Sequence, residues 1–586
     1  MRIVLLWHRI GGAVERLGPE AVARNLQKIF SPLFSVPPKP TIRQNSATRM
    51  VFLELPVRGW KPPFFQEDEL TWALALDYPI DGCTALAANG IPSEDHNVLP
   101  ILCRSLQSNP VGLLREMAPP FSLVWSSKQT SETFVQNDGL GQAQLFEYQD
   151  DQLWALTNKF FALNAVGASL EMKIEDWAFR SALGWFPLDM TGYKRIRYFQ
   201  PGTQVRLGPD GVSRTIHDVL SEWVNPGDLS QADCLEMARC SLLKQIRAGM
   251  PLWEKPFADL SGGWDTRAVV SSLRALGAEF SASVTGQEEL RDVIVASKLA
   301  KIAGFDLSVI RGSAGLPPDT PEECKRRISL ALLWQAGYIV NHQHKELLSN
   351  YTHLGGGKLD IMGAHGEIGR GVYSKMIKAK SLDEREYEEQ LITKLMGKIP
   401  PLIRQGLHDR IREIIQEAYR QADRFGLTGL ARLDFFYLYE RIRRRASGSL
   451  SSRPGIAFAP FLNPDYIRAT FGYRGYGKET NPFHRHIIAM NAPDWVTVPF
   501  ASDLQGSKPS TLFPSGWKQS SGTADYDNLL YWKMIGKPII DEALAQGGFW
   551  TKIFDPDRAK ENWQAAPDDL AILHLLPHLL QGPFPS

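Results

Sequence analysis

Asp259-Leu260-Ser261-Gly262-Gly263-Trp264-Asp265-Thr266-Arg267 joins two unlike neighbours. Before it, residues 256–260 (PFADL) form a short apolar run of strand character. After it, residues 264–277 (WDTRAVVSSLRALG) carry helical periodicity ended by Gly277. The alternation continues outward. FSASVTG reads as a second strand, LRDVIVASKLAKIAG as a second helix ended by Gly304, and LSVIRG as a third strand. Strand–helix–strand–helix–strand predicts a doubly wound parallel sheet.

Upstream the pattern changes. FSLVWSS, ETFVQND, AQLFEY and QLWALTN follow in quick succession between turn residues, which predicts an antiparallel sheet with helices such as the one near residues 20–30 packed on it. The shift falls near residues 224–227, where NPGD precedes the amphipathic stretch LSQADCLEMARCSLLKQIRAGM. Residues 1–225 and 226–586 are therefore expected to be separate domains, the second with helical additions such as LALLWQAGYIVNHQHKELLSN and ARLDFFYLYERIRRRASG.

The 586 residues exceed one ordinary core. Lys+Arg number 65 against 64 Asp+Glu, a formal net charge of +1, so the overall charge calls for neither nucleic acid nor a membrane surface. Five cysteines without a CxxC pair argue against a disulfide framework and a structural zinc site. The opening apolar run is broken by His8 and Arg9, well short of the ~18 residues of a membrane span. A cytoplasmic location is expected.

The glycine pair lets backbone N–H groups converge on an anion at a helix N-terminus. Ser261 and Thr266 can donate to phosphate oxygens. Asp265 makes sense there if a divalent cation stands between carboxylate and phosphate. The loop has no lysine and is not the G-x-x-x-x-G-K-[ST] loop of γ-phosphoryl transfer. A bare strand-to-helix turn is the bland alternative. A second Gly-rich loop, Ile361-Met362-Gly363-Ala364-His365-Gly366-Glu367-Ile368-Gly369-Arg370-Gly371, supplies another carboxylate.

The first loop resembles the pyrophosphate loop of the ATP pyrophosphatases, which cleave ATP between the α- and β-phosphates and activate a carboxylate as its adenylate. The second resembles the GEGSDE loop of asparagine synthetases, with Ala364 and Glu367 as departures. The resemblance implies ATP and pyrophosphate contacts at Leu260, Ser261, Gly262, Gly263, Asp265, Thr266, Val284, Thr285, Gly286, Gly363 and Gly366. It implies magnesium on Asp265 and Glu367, and an acidic position at Asp292. A glutamate orienting the amine would be Glu440, and a charge-neutralising lysine Lys508. A solvated helix face with a Glu440–Arg444 pair, and a surface lysine, compete with these last two. Most of the arginines at 441–445 are expected on a solvated face. His342 and His344 do not share a helical face, and Trp264 is expected in the core.

The N-terminal half resembles an Ntn-type glutaminase domain, an antiparallel αββα sandwich, with Asp138-Gly139-Leu140-Gly141 as its turn and residues 193–203 as its close. Arg2 stands where such a domain needs a cysteine whose α-amine serves as base. Glutamine hydrolysis is therefore not expected. The SGGxDTR form, the altered second loop and the long tail resemble lasso peptide cyclases, which adenylate an Asp or Glu side chain of a precursor peptide and let the peptide's N-terminal amine close a macrolactam. That family implies a core peptide and a leader peptidase as partners. A β-lactam or carbapenam synthetase-like ligase for a small acid, and a non-catalytic precursor-binding scaffold, are the alternatives.

Overall fold

The computed structural model describes residues 2–10, 17–45, 48–92, 98–310, 320–335, 357–377, 383–446, 455–504 and 537–565. The first antiparallel sheet contains β1 (Arg2–Arg9), β2 (Pro40–Gln44), β3 (Thr48–Glu54), β9 (Phe146–Gln149), β10 (Leu153–Thr157) and β11 (Ile196–Tyr198), in the order β11-β9-β10-β1-β3-β2. The second contains β5 (Phe65–Glu67), β6 (Thr71–Asp77), β7 (Ser122–Ser127), β8 (Thr133–Asn137), β12 (Thr203–Gly208) and β13 (Gly211–Ile216), in the order β13-β12-β8-β7-β6-β5.

The opening apolar run is a strand near the middle of its sheet. Val4 and Leu6 face the second sheet beside Trp72, Leu74 and Val124, while Ile3, Leu5 and Trp7 pack under Leu26 and Phe30 of the helix Pro19–Phe30. A strand buried on both faces loses the polar alternation that marks a half-exposed one. The outer face of the second sheet, Ala73, Ala75, Leu123 and Trp125, packs with Leu99, Leu102 and Leu106 of the helix Val98–Ser108. The layers are helix, sheet, sheet, helix, as the sequence suggests. At the turn, the Asp138 carboxylate accepts from the N–H groups of Leu140, Gln142 and Ala143 at 2.9, 3.0 and 2.9 Å.

The third sheet holds β14 (Phe257–Asp259), β15 (Ser281–Thr285), β16 (Leu307–Ile310), β17 (Gly357–Ile361) and β18 (Gly455–Phe458), all parallel, in the order β16-β15-β14-β17-β18. The expected helices are Gln231–Gly249, Trp264–Ala275 and Arg291–Ala303. Gly277 and Gly304 follow the last two with φ of 63° and 72°, the left-handed stop that glycine tolerates. β4 (Val57–Arg58), from the first half of the chain, pairs in parallel with β17. So the halves share hydrogen bonds, and one apolar cluster runs from Ala73 to Val269 and Phe500.

The segment expected as a plain helix over 431–448 is α-helical at Leu430–Phe436 and wound as a wider π-helix at Tyr437–Ala446. Its arginines correct the expectation of a solvated face. Arg443 and Arg444 are each 1% exposed, and both bond the Asp189 carboxylate. Partnered guanidinium groups tolerate such burial where unpaired ones would not.

Candidate functional site

In the parallel sheet the chain runs outward from β14 to β15 and β16, then returns to β17 on the other side of β14. Such a reversal opens a crevice at the carboxyl ends of the two central strands. Both Gly-rich loops leave the sheet there, one after Asp259 and the other after Ile361. The crevice is a consequence of strand order, and it brings together carboxylates 102 positions apart in sequence, at 265 and 367.

The second loop crosses the first turn of the helix Trp264–Ala275 at close range. A methyl at Gly363 would lie 2.5 Å from Thr266 N, and one at Gly366 would lie 2.3 Å from Asp265 Oδ1. Between them His365 holds a φ of 72°, is buried, and has its pKa lowered by that burial to about 4. Strained non-glycine backbone of this kind collects at functional sites.

Asp265 and Glu367 come near one another where the second loop crosses the helix. Burial, and then the Asp265 charge, raise the Glu367 carboxyl to about 7. Arg370 Nη1 lies 3.0 Å from Asp265 Oδ2, while its Nε donates to Asn481 Oδ1 at 3.1 Å. His484, fully buried, brings Nε2 within 2.7 Å of Asp265 Oδ1, although neither atom is in hydrogen-bond alignment with a partner. Tyr437 and Tyr466 border the same carboxylates, and burial raises both phenols above their usual range. Arg370, His484 and these tyrosines carry no local motif, so sequence reading passes over them.

The donor set fits a divalent cation shared with a phosphate. Two hard carboxylates lie near one another, and Asp265 Oδ1, although buried and 2.7 Å from His484 Nε2, lacks an aligned donor. Among the described residues no group of three or more acidic, His or Cys side chains could hold a metal alone. Magnesium characteristically uses one or two carboxylates and takes its other ligands from phosphates and water.

The first loop refines the expectation for its amides. Ser261 N donates to Thr266 Oγ1 at 3.0 Å, Gly263 N to Ser261 Oγ at 3.1 Å, and Gly262 N to the Asp292 carboxylate at 2.9 Å. The loop attracts an anion, and the anion it holds here is Asp292, which opens the helix Arg291–Ala303. Leu260 is buried with its N–H on Ser283 O at 2.8 Å. Val284, Thr285 and Gly286 lie at the carboxyl end of β15, beside this loop. Trp264 is 5% exposed and stacks on Phe500 at 3.3 Å, in the core as expected. Arg267 is buried and donates to Val498 O and Pro499 O at 2.7 and 2.9 Å, a clamp on the following chain.

Glu440 does not join the carboxylate pair by direct contact. It is fully buried, accepting from Leu188 N at 3.2 Å and near Trp185 Nε1 at 3.4 Å, and burial raises its pKa. Its link to the crevice runs through Tyr373, which feels its charge and stacks edge-on with Tyr437 at 5.7 Å. The solvated-face alternative for Glu440 is therefore overturned. Lys508, His342 and His344 lie outside the described residues.

A separate cavity of about 110 Å³ lies between the halves, lined by Arg2, Asp77, Gln142, Lys159, Trp334 and Gly455–Phe458. Arg2 stacks its guanidinium over Phe64 at 3.1 Å and donates through Nε to Leu76 O at 3.0 Å, and burial lowers its pKa to about 9. No helix among the described residues is long and apolar enough to cross a membrane.

No family model matches the chain, and no curated protein does. Among solved structures it is similar to the allosteric regulatory enzyme of purine biosynthesis, at 9% identity and a TM-score of 0.25, covering 55% of this chain and 82% of that one. It is also similar to glutamine phosphoribosylpyrophosphate amidotransferase from B. subtilis, complexed with ADP and GMP, at 10% identity and a TM-score of 0.24, covering 53% and 91%.

Proposed function

We propose that the chain is an ATP-dependent, AMP-forming amide ligase of the lasso peptide cyclase type. It would adenylate an Asp or Glu side chain of a precursor peptide and join it to the peptide's own N-terminal amine. The observation that carries the reading is the meeting of Asp265 and Glu367 from two Gly-rich loops at the reversal point of the parallel sheet. Two partly buried carboxylates near one another suit a site built for a cation brought in with a polyphosphate.

The division of labour follows from the residues. The N–H groups of Ser261, Gly262 and Gly263 bind the departing pyrophosphate, and the helix starting at Trp264 adds its positive end. Asp265 and Glu367 hold magnesium, which when bound offsets charge on the leaving group. Arg370, which donates to Asp265 Oδ2 at 3.0 Å, would have to leave that oxygen for a cation and could then donate to a phosphate oxygen. The peptide carboxylate attacks the α-phosphorus, and the amine then displaces AMP. Holding both ends of one peptide together contributes an effective concentration worth ~7–11 kcal/mol of barrier. A core peptide freed by a leader peptidase is the partner this chemistry requires.

The test is a linear core peptide with ATP and magnesium, followed by nucleotide chromatography and peptide mass. AMP, pyrophosphate and loss of one water from the peptide are expected. Asp265→Asn and Glu367→Gln, both nearly isosteric, should each lower turnover by about 100-fold or more with circular dichroism unchanged. ADP with orthophosphate as the main products would sink the assignment.

A further inference from the structure

Tyr466 stands at the foot of the crevice with no part in the chemistry above. Its side chain is fully buried, and its hydroxyl has no hydrogen-bond partner among the described residues. The ring is held firmly. Asn463 caps the helix Pro464–Gly472 by accepting from Tyr466 N at 2.8 Å, and Phe461 and Phe483 pack on the ring at 5.0 and 6.1 Å. The charged groups acting on the hydroxyl are Asp265, Glu367 and Arg370. A methyl at Gly369 would lie 2.5 Å from Oη, so the bare glycine beside Glu367 and Arg370 is what admits the oxygen.

Buried tyrosine hydroxyls ordinarily find a partner. Here the oxygen is brought against the second loop at Gly369 and bonds nothing among the described residues. With no partner among the described residues, the hydroxyl has its proton and its lone pairs to share. A water on a divalent cation is a strongly polarised donor and needs an acceptor in its outer shell.

We propose that Tyr466 Oη accepts a hydrogen bond from a water on the cation held by Asp265 and Glu367, making Tyr466 an outer-shell positioning residue of that site. The inference rests on the ligase reading above. Outer-shell partners of this kind change metal affinity by about 10- to 100-fold when removed.

Mn²⁺ serves as the probe, titrated by electron paramagnetic resonance into the full chain with α,β-methylene-ATP present. Tyr466→Phe removes one oxygen and leaves the ring packing. It should weaken Mn²⁺ binding by about tenfold or more, with the thermal midpoint unchanged or slightly higher. Unchanged Mn²⁺ affinity in folded Tyr466→Phe overturns the proposal and leaves the ligase reading standing. Should that variant fail to fold, Gly369→Ala crowds the same oxygen from the other side and should give the same weakening, with unchanged affinity again the overturning result. Wild-type protein that binds Mn²⁺ no better than Asp265→Asn removes the metal site, and with it both readings.

Discussion

At the residue scale, the effect of burying a carboxyl can be measured away from the crevice. Asp81 is 4% exposed and accepts from Ala118 N at 2.9 and 3.2 Å, and desolvation raises its pKa from 3.8 to about 7. Between those two values the folded chain keeps a proton that the unfolded chain has lost. Stability from this group is therefore greatest at low pH and declines as pH rises through the window, by at most about 1.4 kcal/mol per unit. Asp81→Asn keeps an acceptor for Ala118 N and cannot ionise. Thermal midpoints at pH 5 and pH 7.5 should fall further apart in the wild type than in the variant. Equal spacing would mean that Asp81 is ionised in the folded chain throughout. The same contrast between local and distant causes explains what the sequence reveals of the site. Asp265 and Glu367 are legible because each lies in a glycine-rich loop whose spacing has a physical purpose. Arg370, Tyr466 and His484 owe their place to tertiary packing, and Glu440 reads as a helix-surface acid because nothing near it in sequence announces Trp185 and Leu188 above it.

Among elements, the contact between the second loop and the helix Trp264–Ala275 sets the geometry of the carboxylate pair. Gly366 has no positive φ, so alanine is allowed there by the backbone, and the added methyl at 2.3 Å from Asp265 Oδ1 acts by displacement alone. Gly366→Ala should leave circular dichroism intact while AMP formation falls on the order of 100-fold, the cost of moving a reacting group by about 1 Å. AMP formation near the wild-type rate would show that the loop yields without moving Asp265. Much of the element order is legible: glycines at 277 and 304 end helices where periodicity ends, and the strands of the second sheet stand between turn residues. Two elements are not. β1 lacks alternation because both its faces are covered, and β4 is two residues whose strand character exists only beside β17. The π-helix Tyr437–Ala446 likewise has distant partners, Asp189 and Leu188 meeting Arg443, Arg444 and Glu440.

For the whole molecule, the composition shift near residue 225 marks a change of sheet type and also a seam crossed many times. β4 donates its edge to the parallel sheet. Lys159, at the end of β10, donates to Trp334 O at 3.0 Å with its ammonium 3.7 Å from that indole. Trp185 and Leu188 cover Glu440, and Asp189 pairs with two buried guanidinium groups. Removing the first half would leave Glu440, Arg443 and Arg444 without these partners, and stranding a buried charge costs about 3–5 kcal/mol. It would also uncover Trp253, Ala258 and Phe458, whose cluster is shared with Val57 and Phe64, at about 1.5–3 kcal/mol for each large side chain. These losses approach the whole stability of an ordinary domain, about 5–15 kcal/mol. Residues 226–586 expressed alone should therefore be insoluble or lack near-ultraviolet circular dichroism, and should not form AMP. The intact chain should unfold in one transition seen alike by tryptophan fluorescence and far-ultraviolet circular dichroism. A soluble 226–586 fragment with native aromatic signals and ATP cleavage would mean that the first half is a passenger. Failure of the fragment, with AMP formation by the full chain, would mean that the first half is needed for the partners it supplies to Glu440, Arg443 and Arg444.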